Sequence, residues 1–377
     1  MISITTPTGG MILFMLGGLA GAVFALPFKK VKGWAYESYW MFYAIFGLVI
    51  FPWFLAWLTV PNMIEVLRNA PTDVLARCFF FGAMWGLGGL TWGLMIRYLG
   101  IGLGLAIGCG LCSATGTLIP PIAAGRAYSL ISHFGAFVIL FGVLLSLVGI
   151  VFVGFAGKSK EAELTLEQQL LAVPEFDFKK GMIVAVFSGI ASAGMNFGLQ
   201  SGRALQYAAL YGGTRFKWQG IPVLVVVLFG GFVVNFIWCL HQNLKNDTMG
   251  DYADRRTPIA ANIFFAGLAG VIWAMQFVCQ KVGEPAMGRY AYVGFAIVMG
   301  SSIFFSSLTG ILLGEWKGVG GRTKKLLSFG ILILMVSFGV ISYGQKIGPK
   351  RERPDARLRR YVEKELREVK KEMGIAD

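Results

Sequence analysis

Charge is scarce in this chain. Of its 377 residues, 14% are Asp, Glu, Lys or Arg, where a soluble domain carries about a quarter. Histidine is scarcer still, at two. No Asp or Glu falls in the middle of any long apolar run, where a charge costs about 2.5–3.5 kcal/mol on insertion scales. The few histidines and carboxylates are too scattered for an acid–base or metal-assisted active site, so an enzyme is not expected. Cysteine is also sparse. All five lie in or beside apolar runs, and the Cys109–Cys112 CxxC has no His or second CxxC near it. Neither a metal, another cofactor nor a disulfide framework is implied. The first residues, MISITTPTGGMILFMLGG, lack a basic n-region and a small-residue cleavage site, which argues for a retained span rather than a signal peptide. GKS at 157–159 mimics the end of a phosphate-binding loop, but Phe152 stands where that motif needs its first glycine.

What is abundant is apolar surface. The chain is 56% hydrophobic with a mean hydropathy of +0.65. Ten apolar runs of membrane-spanning length follow one another, at about 9–28, 36–60, 75–98, 100–121, 133–155, 181–203, 219–241, 259–281, 289–313 and 325–345. They are too long and too continuous for barrel strands. In lipid that leaves helices, whose backbones satisfy themselves. The expectation is an all-α, multi-pass membrane protein of ten helices.

The charged stretch 156–180 divides the runs into five and five, giving a first repeat over 1–155 and a second over 181–345. GLAGAVFAL at 18–26 aligns with GIASAGMNF at 189–197, and GAMW at 82–85 with GVIW at 270–273. An odd number of spans per half makes the two repeats inverted. The short loops carry more Lys and Arg on the side away from the N-terminus, which places both termini outside, although the basic tail 346–377 weighs the other way. In that tail Asp355 can cap a helix whose Leu358, Val362, Leu366, Val369 and Met373 form one apolar stripe, the pattern of a solvated or membrane-surface helix or of a docking or oligomer contact. Nothing in the composition points to nucleic acid, and the oligomeric state is not legible.

The stretch 79–100, FFFGAMWGLGGLTWGLMIRYLG, holds six glycines in 22 residues. At about 100° per residue, Gly82, Gly86, Gly89 and Gly93 fall on one stripe, expected to admit a neighbouring helix at close range. Trp85 and Trp92 flank it. An indole face stacks on the C–H face of a sugar, and its N–H reaches a hydroxyl. Amides recur on other spans: Ser188, Ser192, Asn196 and Gln200 on the sixth; Asn235, Trp238 and Gln242 on the seventh; Asn262, Trp273, Gln276 and Gln280 on the eighth. Amides donate and accept at once, which suits an uncharged, hydroxyl-rich solute. The expected binding set is Trp85, Trp92, Asn196, Gln200, Trp273 and Gln276. A proton-coupled carrier also needs a titratable group. Glu37, set against Tyr36, Tyr39 and Trp40, is the first choice, with Glu284 and Glu315 also near membrane depth.

These residues carry a resemblance. ALPFKKVKGWAYESYW at 25–40, FFFGAMWGLG at 79–88 and RYLG at 97–100 resemble segments of the L-rhamnose–proton symporter family of the drug/metabolite transporter superfamily. PW at 52–53, PN at 61–62, GTL at 116–118, FKKG at 178–181, SAGM at 192–195, Asn235, Gln276 and EW at 315–316 follow in order. The resemblance runs from about 10 to 345. It implies a ten-helix, five-plus-five inner-membrane permease whose partners are a deoxysugar and a proton. Members of the family often carry asparagines around 89–91 and a Tyr-Asp pair, where this chain has Gly89, Leu90 and Thr91, and Tyr290 and Ala291. A facilitator or exporter of another sugar, polyol or metabolite on the same fold, or a sugar sensor, are the alternative readings.

Overall fold

The computed structural model describes residues 6–123, 125, 127–163, 177–314 and 316–348. The tail beyond Gly348, loop residues 164–176 and Glu315 lie outside the described residues. The helices are α1 (Pro7–Val23), α2 (Tyr36–Ala44), α3 (Phe51–Thr59), α4 (Met63–Arg68), α5 (Thr72–Ala123), α6 (Phe134–Ala162), α7 (Phe178–Ser192), α8 (Gly194–Ser201), α9 (Arg203–Tyr211), α10 (Ile221–Lys245), α11 (Ile259–Met287), α12 (Gly294–Leu312) and α13 (Gly321–Ile347). No strand occurs among the described residues.

Among the described residues, nine helical segments are long and apolar enough to cross a membrane, and a shorter apolar helix spans Ile107–Ala123. The expected third and fourth spans run together in α5, which is nonetheless not straight. Residues 92 and 108 would lie about 24 Å apart along one helix axis. Instead, a Cβ on Gly108 would lie 3.2 Å from the Trp92 ring, and one on Gly104 would lie 3.2 Å from Met95 Cγ. The chain therefore doubles back between Met95 and Gly104. Other boundaries differ from expectation by several residues: α6 continues past 155 to Ala162, α7 begins at Phe178, and α11 runs past 281 to Met287.

Local sequence explains the breaks. The Thr6 hydroxyl accepts from Gly9 N at 3.1 Å, with Pro7 opening α1. Between α2 and α3 the helix widens to a π-turn over Ile45–Ile50, just ahead of Pro52, whose ring would clash with the carbonyl of Leu48 in a regular helix. The expected sixth span is interrupted at Ala193 and Gly202 into α7, α8 and α9.

Packing follows the glycines. α1 lies on α11 and α12, while α5 lies on α7, α8 and α10. α2 lies on α10 and α11, and α6 lies on α13 and α5. At Gly82 any Cβ would meet the Val227 carbonyl, and at Gly86 it would be 2.9 Å from the Gly231 carbonyl. Gly230 faces the Phe79 carbonyl in return, and Gly47 and Gly270 face each other's backbone. Such close approach is what holds helices together where lipid is as apolar as leucine. The lower half of the expected stripe differs. Gly89 and Gly93 are exposed, with no neighbour within 4 Å of an added Cβ. On that stretch the packing glycine is Gly88, seated against Ser192. Two large apolar cores result among the described residues, with smaller clusters around Met95 and Phe295. One is centred on α2, α3, α10 and the middle of α11, the other on α1, α6, α12 and α13.

Candidate functional site

α11 is the spine of the site. Trp273, Gln276, Gln280 and Glu284 recur at spacings of three and four, so they share one face of that helix. Along this face the Trp273 indole N–H, both polar ends of Gln276, Gln280 Oε1 and Glu284 Oε1 are buried without a hydrogen-bond partner among the described residues. Gln276 and Gln280 are at most 1% exposed. An orphaned buried polar group costs about 1–3 kcal/mol, so a run of them on one face is a standing demand for hydroxyls, water or protons. α1 and α12 close over it. Gln276 Oε1 lies directly against Gly21, with Ser302 Oγ, also unpartnered, beside the same glycine.

Asn196, on α8, ties this face to the rest. Its Nδ2 donates to the Gly116 carbonyl at 2.5 Å, and its Oδ1 accepts from Gln280 Nε2 at 3.1 Å. The Ser113 and Thr117 hydroxyls on either side of Gly116 are buried and unpartnered as well. One turn beyond Asn196, the Leu199 carbonyl accepts from Lys281 Nζ at 3.1 Å, and Lys281 pairs with Glu284 Oε2 at 2.5 Å. Lys281 is 1% exposed and Glu284 11%. The network therefore joins α5, α8 and α11.

Rings form the other wall. Tyr36 stacks on Trp40 at 5.1 Å and Trp40 on Tyr43 at 4.3 Å; Phe24 then lies 6.0 Å from Tyr43 and 4.5 Å from Trp273. Phe277 receives Trp273 edge-on at 5.8 Å and Trp85 edge-on at 5.7 Å. The far edge of Trp85 fits against Gly231. This aromatic series leads from the start of α2 to the two indoles in the middle of their helices.

The expected site residues thus divide. Trp85, Asn196, Trp273 and Gln276 converge on the α8–α11 region, and half-buried Gln200 lies one helical turn from Asn196. Trp92 is elsewhere: its Nε1 donates to Ser192 Oγ at 2.8 Å, and its ring packs with Met95 and Ile107. Thr91 makes the neighbouring bond, 2.6 Å to Ser188 Oγ. The seventh-span amide Asn235 accepts from Trp40 Nε1 at 2.9 Å. Asn262 accepts from Lys32 N at 3.0 Å and donates to Lys32 O at 2.8 Å, so it fastens the α1–α2 connection to the start of α11.

Glu37 belongs to that same fastening. Its Oε1 accepts from Asn246 Nδ2 at 2.9 Å and Thr248 Oγ1 at 3.0 Å. Beside it, Asp251 Oδ2 accepts from Ser38 Oγ at 2.6 Å and from Ala35 N at 2.8 Å. The group sits at one end of the bundle. Glu284 lies at the other, roughly 33 Å from Asn262 along α11 at 1.5 Å per residue. Near the Glu37 end, Tyr252 has its phenol pushed up from its ordinary value by burial. An open cavity of about 840 Å³ lies apart from all of these, between α3 and α4, lined by Trp53, Trp57, Asn62, Glu65 and Arg68.

Gln280, Lys281 and Glu284 were visible in the sequence but not placed in the expected binding set. The signal for them is the spacing 273, 276, 280, 284, which keeps a carboxylate in register with the amides. Missed altogether were Phe24 and Phe277, since apolar rings in an apolar run carry no mark.

The chain can now be set beside known proteins. The family of the L-rhamnose-proton symport protein (RhaT) matches residues 4–346. The L-rhamnose-proton symporter of Escherichia coli is 32% identical over 89% of this chain and 98% of its own length. That of Pectobacterium atrosepticum is 31% identical over 90% and 98%, and that of Yersinia pestis 31% over 89% and 97%. With the whole helical bundle and its buried polar face falling inside the matched region, this chain belongs to the L-rhamnose-proton symport protein family.

Proposed function

We propose that the protein is a secondary carrier of the inner membrane that takes up L-rhamnose, or a related 6-deoxyhexose, together with a proton. The observation that carries this reading is its full-length kinship with proteins named L-rhamnose-proton symporters. The chemistry of the α11 face agrees with it. A deoxyhexose offers hydroxyls to Gln276 and to the Trp273 N–H, and an apolar C–H face and methyl group to Trp273 or Trp85. In this reading Asn196 and Gln200 would add contacts from α8, and Trp92 would act from the α5–α7 contact. Replacing orphaned contacts by sugar hydroxyls favours binding, because the cost of the empty polar face is relieved.

The proposed architecture is ten crossings, with Ile107–Ala123 as the fourth, arranged as inverted five-helix repeats. Pairing supports it. α1 on α11 and α12 matches α7–α8 on the two arms of α5, and α2 on α11 matches α10 on α5. Gly82 of GAMW packs on α10, and Gly270 of GVIW packs on the α2–α3 helix. Rocking of one half against the other would expose the central face to each side in turn.

The test is uptake of radiolabelled rhamnose into proteoliposomes. An inward proton gradient should drive accumulation above the external concentration, and a protonophore should abolish it. Absence of uptake removes the substrate, and uptake indifferent to the gradient removes the coupling.

A further inference from the structure

The α11 face leaves donors and acceptors open together: the Trp273 N–H and Gln276 Nε2 have no acceptor, and three side-chain oxygens have no donor, among the described residues. Gln276 Oε1, Gln280 Oε1 and Glu284 Oε1 are all buried acceptors without a donor. They occupy successive turns, and at their end stands the Lys281–Glu284 ion pair, enclosed within the bundle. Taking a charge pair out of water costs several kcal/mol per ion, so a pair kept in the interior calls for an explanation.

We propose that Glu284 is the proton-binding residue of the transport cycle, with Lys281 as its fixed counter-charge. In the sugar-free state the pair is carboxylate and ammonium, and is neutral together. In the loaded state one proton adds to Glu284, which becomes a neutral acid with an O–H. That O–H lies one turn from Gln280 Oε1, the acceptor in need of a donor. Gln280 is in turn one turn from Gln276, so proton and sugar share one chain of hydrogen bonds. Lys281 keeps the Leu199 carbonyl throughout. The loaded carrier then bears one more positive charge than the empty one, and the same proton leaves to water on the far side. No other bond forms or breaks.

The surroundings suit this. Gly10 and Phe14 of α1 pack on Gly283, next to Glu284 in the chain, and Gly220 packs on the Lys281 stem. The Gln280 amide is within reach of the Glu284 carboxylate, Arg203 of α9 is within electrostatic reach of it, and Cys78 of α5 of Lys281. Glu37, the carboxylate first expected to carry the proton, sits at the opposite end of the bundle in a fastening of loops.

The inference rests on the rhamnose–proton reading, and the experiment separates the two. Wild type, Glu284→Gln, the double variant Lys281→Met/Glu284→Gln, and Glu37→Gln are reconstituted side by side. Wild type that takes up no rhamnose defeats the underlying reading, not this one. Given wild-type accumulation, Glu284→Gln and the double variant should still exchange labelled for unlabelled rhamnose. Their gradient-driven accumulation should fall at least tenfold, to the equilibrium level. The double variant leaves no lone buried charge, so it guards against simple misfolding. Infrared difference spectra of wild type on adding rhamnose should also gain the carbonyl band of a neutral carboxylic acid, which Glu284→Gln lacks. Full accumulation by the double variant overturns the proposal. So does loss of accumulation in Glu37→Gln but not in Glu284→Gln, or a wild-type spectrum without the acid band.

Discussion

Trp85 and Trp273 meet the same ring: each presents itself edge-on to Phe277, at 5.7 and 5.8 Å. They come from α5 and α11, and each lies three residues after a glycine that packs tightly on a neighbouring helix, Gly82 and Gly270 respectively. The tight glycine contact fixes the helix, and the fixed helix places the indole.

Trp273→Leu should weaken rhamnose binding more than Trp85→Leu, because the Trp273 N–H is buried and unpartnered. The expected loss is roughly threefold to tenfold from the ring alone, in line with about 0.5–1.5 kcal/mol per aromatic contact, and more where the N–H is used. Equilibrium binding of labelled sugar in detergent measures it.

Gln276→Met separates a ligand-binding amide from structural glue. Interhelical amides that are paired contribute to stability, but both ends of this one lack partners. The variant should keep or raise the melting temperature of the sugar-free protein while losing at least tenfold in rhamnose affinity. Asn235→Leu, which breaks a bond to Trp40, should lower the melting temperature instead. Thermal unfolding with and without rhamnose reads both.

Along the glycine stripe of α5, Gly82→Ala should destabilise, since its Cβ would run into the Val227 carbonyl. Gly93→Ala meets open space and should be neutral or slightly stabilising, as alanine is the better helix former. Expression level and melting temperature of the two variants make the comparison.

Glu163 ties the end of α6 to the start of α13. It accepts from Gly320 N at 2.7 Å and Thr323 Oγ1 at 2.5 Å. The Thr323 hydroxyl, then the Gly320 N–H, hold its carboxyl below the ordinary value. A lowered folded-state value means a stabilising contribution that is full above the unfolded carboxylate range and lost as pH falls through the folded value. Wild type should therefore melt above Glu163→Gln at neutral pH, with the difference closing in acid.

How much of this was legible in the sequence follows from what periodicity encodes. Most span positions and the shared face of Trp273, Gln276 and Gln280 follow from composition and a 3.6-residue repeat and recur in the structure, whereas the expected third and fourth spans run together in α5. Periodicity does not say where a neighbouring helix ends. Gly82 and Gly86 have a partner in α10, whereas Gly89 and Gly93, on the same stripe, have none. Nor does it say which amides are already paired. Asn262 and Gln276 look alike in sequence, yet one is fastened to Lys32 and the other has no partner among the described residues. By hydropathy alone Glu284 falls between the runs 259–281 and 289–313. α11 continues to Met287 and carries it into the interior, since Pro285 does not end the helix.

Whether a sugar occupies the orphaned face of α11 can be seen in a structure of the protein in lipid nanodiscs with saturating L-rhamnose. The prediction is sugar density midway through the bundle, with hydroxyls on Gln276 and the Trp273 N–H and its C–H face on an indole. Density in the cavity between α3 and α4 instead, with Gln276 left dry and unpartnered, would contradict it.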